Sequence, residues 1–159
     1  EDVEPEELGE PFDVVFASYS LMITDIVPAL AKMQAVCDGR VHLFWFLTQP
    51  YTAILNEALW PRVHGAEFPG EPTADCLWEV LYEMGIFANL AVEASCEPAY
   101  FASPADATKD FCKRLGCTTR EQEQAVREYC ETSLAKTEHG YRVAGDALGA
   151  HLWWDVKPR

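Results

Sequence analysis

Apolar residues follow two rhythms along this chain: short unbroken runs, and spacings of three and four. The runs Asp13-Val14-Val15-Phe16-Ala17 and Leu43-Phe44-Trp45-Phe46-Leu47 predict parallel strands covered on both faces. Between them, Ile26, Leu30, Met33 and Cys37 form one helical stripe. Thr24 or Asp25 is suited to cap that helix, Pro28 fits its first turn, and Gly39 is suited to a left-handed residue after its end. Strand, helix and strand make a right-handed crossover unit, and such sheets take ligands beyond the carboxyl ends of their strands. Ser18-Tyr19-Ser20 therefore falls at the expected ligand end.

Beyond Thr48 the pattern loosens. A short helix is predicted at Tyr51–Trp60, with Ile54, Leu55, Ala58 and Leu59 on one side, followed by an irregular stretch from Pro61 to Gly70. Trp60, His64, Glu67 and Phe68 make this segment chemically rich, as binding loops are. The plainer reading has Trp60 and Phe68 anchoring the loop to the core. A helix over Thr73–Gly85 follows, with Leu77, Val80, Leu81 and Met84 on its apolar face, then a third strand at Phe87–Ala94 that completes a second crossover. Ser103-Pro104 opens a helix that Gly116 ends. Thr119 and Gln122 give the next helix a capping box, and Lys136 and His139 are expected near its end, before Gly140. These two helices read as a hairpin inserted between strands, spanning about residues 104–139. Tyr141–Val143 and Ala150–Val156 read as strands separated by Gly145-Asp146 and Gly149. They are suited to pair as a hairpin, with the last joining the main sheet antiparallel.

Composition narrows the function. At 159 residues, 49% hydrophobic and 24% charged, the chain reads as a single globular domain. A net charge of −14, with seven acidic and no basic residues among the first 13, opposes nucleic acids and anionic membranes and favours a small-molecule substrate. No apolar run approaches the ~20 residues of a membrane span, and the N-terminus lacks a signal-peptide pattern, so a cytoplasmic protein is expected. Six cysteines without a CxxC spacing read as reduced thiols, Cys37, Cys112 and Cys130 on or beside apolar helix faces. A zinc site at Cys112, Cys117 and a histidine is the alternative, and no metal is assigned. The Asp13–Ala17 strand has the character of a central strand yet lies near the N-terminus. Polypeptide upstream or a second copy is expected to pair with its open edge, giving a homodimer in the second case.

The order Asp13-Val14-Val15, Ala17-Ser18, Leu21, Asp25, Ala29-Leu30, Met33 and Gly39-Arg40-Val41 resembles the second half of class I S-adenosylmethionine-dependent methyltransferases. The helix ending at Gly85-Ile86, the helical insertion and the tryptophan-rich last strand fit the same pattern. The resemblance implies an α/β, partial Rossmann-like sheet with an antiparallel final strand, forming the C-terminal portion of a larger domain. It also implies S-adenosylmethionine as cofactor, near Asp2, Ala17, Ser18 and Tyr19, with segments 51–70 and 104–136 facing the substrate. Tyr51, Trp60, His64 and Phe68 would bind the acceptor. His64, Glu67 and Tyr19 are the candidate bases, with His64 first because its ordinary pKa suits neutral pH. The family's glycine-rich first turn and ribose-binding acidic residue have no counterpart, and GxG occurs nowhere in the sequence. The competing reading is a non-catalytic α/β interaction module that pairs through the open strand edge.

Overall fold

The computed structural model describes residues 5–93, 99–144 and 146–156. Two compact units divide the chain: residues 1–48, 72–94 and 148–159 form the first, residues 49–71 and 95–147 the second.

The first unit is built on a four-stranded sheet. Its strands are β1 (Phe12–Ser18), β2 (Cys37–Phe46), β3 (Asn89–Glu93) and the chain's last strand, Gly149–Asp155. The last strand lies between β2 and β3 and runs antiparallel to both, whereas β1 and β2 are parallel. The expected second crossover therefore places β3 one strand away from β2 rather than beside it. The final strand joins this sheet and does not form a hairpin with Tyr141–Val143.

One face of the sheet is packed. Helix α1 (Ile26–Ala35) and helix α3 (Ala74–Glu83) contribute Leu30, Ala74, Leu77 and Leu81 to a core with Val41, Leu43, Trp45, Leu152 and Trp154. Asp25 caps α1 by accepting the amide of Val27 at 3.2 Å. Strict alternation along β2 then sends Arg40, His42, Phe44 and Phe46 to the opposite face. On β1 that face holds Phe12, Val14 and Phe16, which are 45%, 53% and 69% exposed. Among the described residues β1 is an edge strand, covered by helices of this unit on its Val15 and Ala17 side and not on the other.

Two residues assigned to the end of α1 belong to β2 instead. The helix stops at Ala35, with the Val36 amide donating to the Lys32 carbonyl, so Cys37 starts a strand. Gly39 lies inside β2, where the pairing steps from Phe12↔Cys37 to Val14↔Arg40 and one extra residue is accommodated on β2. A Cβ at Gly39 would collide with the Asp13 carbonyl oxygen, so close backbone approach, not a left-handed turn, requires glycine here.

The second unit is mainly helical. It contains α2 (Tyr51–His64), α4 (Pro104–Leu115), α5 (Arg120–Ser133) and a two-stranded ribbon of β4 (Leu134–Thr137) and β5 (Gly140–Val143). Its core gathers Leu55, Leu59, Val63, Phe111, Leu115, Val126 and Val143. Ser103 and Thr119 cap α4 and α5, the latter through a complete capping box with Gln122. Helix α5 ends at Ser133, so Lys136 lies in β4 and His139 in the tight turn to β5. The final strand of the chain is β6.

Candidate functional site

In the first unit, the carboxyl ends of β1 and β2 meet the amino end of β6. Ser18 closes β1 opposite Phe44, and the Tyr19 amide extends the ladder by donating to the Phe44 carbonyl at 3.0 Å. Tyr19 has φ 49°, a left-handed backbone that costs a non-glycine residue about 1 kcal/mol. That conformation sets its ring against Phe46, with centroids 4.7 Å apart. Its hydroxyl lies 2.9 Å from the point a Cβ on Gly149 would occupy, and the Glu93 Cβ lies 3.5 Å from the same point. Gly149 thus leaves a niche that the Tyr19 hydroxyl occupies, with the Glu93 side chain beside it.

A row of ring side chains continues from this niche along the open face. His151 sits directly across from Phe44, their rings stacked at 4.5 Å and 8°. Its Nδ1 is 4.0 Å from Glu93 Oε1, and its Nε2 is 2.8 Å from His42 Nδ1. Trp153 packs on the other side of His151 at 4.7 Å. His42 is held below the usual histidine range, first by burial, then by His151 and Arg40, against a smaller upward pull from Asp155. Arg40 and Asp155 form an exposed ion pair at 2.8 Å at the far end of the row. Neither His42 nor His151 is among the residues the sequence singles out. The signal present was a histidine in the outward phase of each of two otherwise apolar strands.

Among the residues expected at the site, Ser18 and Tyr19 lie at the strand ends, and Ala17 points its methyl into the core, 9% exposed. Asp2 lies outside the described residues, as do Cys96 and Gly145. Glu67 is exposed in the second unit. Trp60, His64 and Phe68 are brought together: the Trp60 ring lies 4.0 Å from His64 and 5.4 Å from Phe68. The helix carrying Trp60 continues through Pro61 to His64 and ends on Gly65 in the left-handed region, so the irregular stretch starts four residues later than expected. His64 consequently sits in the last turn of α2. Tyr51 packs against the core of the second unit at the start of the same helix. Trp60 also packs on that core, as the anchoring reading expects.

The described cysteines are free thiols, Cys37 and Cys130 buried. Burial, then Cys117, pushes the Cys112 thiol up to about 12. Among the described residues no group of three or more His, Cys, Asp or Glu is arranged to hold a metal ion. Nor is any helix among them long and apolar enough to cross a membrane.

No protein-family model matches this sequence, and no curated protein matches it. Solved structures do. A cyclopropane-fatty-acyl-phospholipid synthase-like protein from Lactobacillus casei ATCC 334 is similar at 15% identity and a TM-score of 0.50, over 94% of this chain and 60% of that one. A candidate methyltransferase from Bacillus halodurans C-125 is similar at 13% identity and a TM-score of 0.47, over 94% and 66%. The YcgJ protein from Bacillus subtilis is similar at 16% identity and a TM-score of 0.43, over 94% and 65%. The chain therefore spans between 60% and 66% of the length of these structures. On the first likeness and the strand order, the fold is class I methyltransferase-like and Rossmann-like.

Proposed function

We propose that this chain serves S-adenosylmethionine-dependent methyl transfer to a small-molecule acceptor. The observation that supports it best is the sheet itself, β1-β2-β6-β3 with an antiparallel last strand inserted before β3, in a methyltransferase-like fold. The ligand end of that sheet fits one part of the cofactor. Tyr19 and Phe46 present aromatic surface at the strand ends and Glu93 ends β3 opposite Gly149, side chains of the kind that suit a cation. When bound, the cofactor supplies a methyl group on a positively charged sulfonium. Ser18 and Tyr19 would border its methionine end. The ribose and adenine call for a glycine-rich turn that these 159 residues lack, and that part is proposed to come from polypeptide outside them.

Methyl transfer demands alignment and, for a protonated nucleophile, a proton acceptor. Tyr19 lies at the strand ends. His64 and Glu67 belong to the second unit, where the Trp60–His64–Phe68 cluster offers a ring-lined surface for an acceptor. A cytoplasmic setting is part of the proposal and suits the free thiols. Calorimetric titration with S-adenosylhomocysteine tests it, on this chain and on a version carrying the coding sequence that precedes Glu1. Binding heat in the longer protein is expected; none in either overturns the reading.

One observation favours a second reading. Among the described residues β1 pairs only with β2, and its other edge is available for strand addition by a second copy. Light scattering behind a sizing column distinguishes monomer from dimer. A monomer at every concentration removes this alternative.

A further inference from the structure

The open face of the sheet carries a chain of titratable groups that the methyl-transfer reading has not used. It begins at Glu93, beside the Gly149 niche, and passes through His151 to His42. Only the central contact, His151 Nε2 to His42 Nδ1 at 2.8 Å, has hydrogen-bond length. One of these two nitrogens must carry a proton and the other a lone pair, since two lone pairs or two N–H groups at this separation repel. The 4.0 Å from His151 Nδ1 to Glu93 Oε1 is too long for a hydrogen bond but within ion-pair reach once the imidazole is charged. At the other end, His42 lines a shallow surface cavity of about 510 Å³ together with Asp13, Asp38, Arg40 and Asp155. The row thus joins the ligand end of the strands to a solvent-open, acidic cleft at their opposite end.

We propose that Glu93, His151 and His42 form a proton relay that takes up the proton released by the methyl acceptor and delivers it to the cleft beside His42. The role in methyl transfer rests on the function proposed above; the relay itself rests on the geometry alone. The balance is simple. As the acceptor atom forms its bond to the methyl carbon, its hydrogen is taken by the Glu93 carboxylate. Once the carboxyl of Glu93 closes its 4.0 Å gap to His151 Nδ1 down to hydrogen-bond length, the proton passes to the imidazole pair, which becomes one imidazolium hydrogen-bonded to one neutral imidazole. Glu93, ionised again, faces that charge, and the proton leaves to water from the His42 ring. The groups that face the pair are Glu93 from β3 and Arg40, Asp155, Asp13 and Asp38 around His42. Aromatic rings of Phe44 and Trp153 pack against His151 and fix its orientation.

The test is histidine nitrogen NMR on the 159-residue chain, titrated from pH 8 to pH 5. In a relay the two rings titrate as one coupled system, in two steps separated by about one pH unit or more. Replacing His151→Asn should move the His42 midpoint upward, because the neighbouring charge that lowers it is lost. Independent single midpoints for His42 and His151, insensitive to each other's replacement while each variant keeps the wild-type amide spectrum, overturn the relay. S-adenosylhomocysteine, added to the form that binds it, separates the two layers. Linked titration with no heat of binding sustains the relay and removes its role in methyl transfer. Binding without linked titration keeps the methyl-transfer reading and overturns the relay.

Discussion

The carbonyl oxygen of Asp13 occupies the space that a side chain on Gly39 would need. Neither partner can yield, because Asp13 belongs to β1 and Gly39 to the irregular step where β2 pairs with it. Gly39→Ala should therefore separate the two strands locally and destabilise the first unit by about 2 kcal/mol or more. Urea unfolding monitored by tryptophan fluorescence measures it. An unchanged midpoint would mean that β1 is not held as described.

Acidification should weaken the protein through His42. Its folded-state pKa lies below the ordinary value of about 6.5, so the unfolded chain binds this proton first as pH falls. The stability that neutral His42 contributes is complete above about 6.5 and is lost as pH drops below it. Thermal midpoints at pH 7.5 and 5.5 should fall less in the His42→Asn variant than in the wild type. Equal falls in both would assign the loss to other groups.

Gly149→Val should displace the Tyr19 hydroxyl, which lies 2.9 Å from the added Cβ. If Tyr19 borders the ligand, affinity for S-adenosylhomocysteine should drop by about tenfold or more, as expected for a lost oriented contact. Calorimetry on the form that binds the ligand reads this directly. Retained affinity would move the site away from Tyr19.

In the second unit, Phe111 is fully buried among Leu55, Leu59, Val126 and neighbours. Phe111→Ala should cost about 3–5 kcal/mol. Thr119→Ala removes one half of the capping box and should cost about 1 kcal/mol, with Thr119→Ser restoring most of it. Denaturant unfolding of the three variants ranks them. A Thr119→Ala loss as large as that of Phe111→Ala would contradict the packing described.

Local chemistry made much of this fold legible. The caps at Asp25, Ser103 and Thr119, the glycine at 116 and the apolar face of Ala74–Glu83 are all encoded within a few residues of where they act. Errors arose where local spacing has two meanings. Cys37 stands four residues after Met33, which extends a helical stripe as naturally as it begins a strand. Gly39 after a helix reads as a turn, and only the backbone of Asp13 explains it otherwise. The site was half legible. Tyr19 followed from the strand-end rule, whereas His42 and His151 are 109 residues apart and meet only because β6 returns beside β2. Alternation already separated His42, Phe44 and Phe46 from Val41, Leu43 and Trp45, but which set faced a core was a tertiary fact.

Phe12, Val14 and Phe16 stand on an edge strand with Glu7, Glu10 and Asp13 close by in the sequence, in a chain of net charge −14. Two such edges approaching each other bring like charges together before any apolar contact forms. Dissolved salt shortens the reach of that repulsion to about 8 Å at physiological ionic strength and to about 3 Å at 1 M. The colloidal behaviour of the protein should accordingly run opposite to that of an assembly held by ion pairs: added salt drives copies together, and dilution into low salt disperses them.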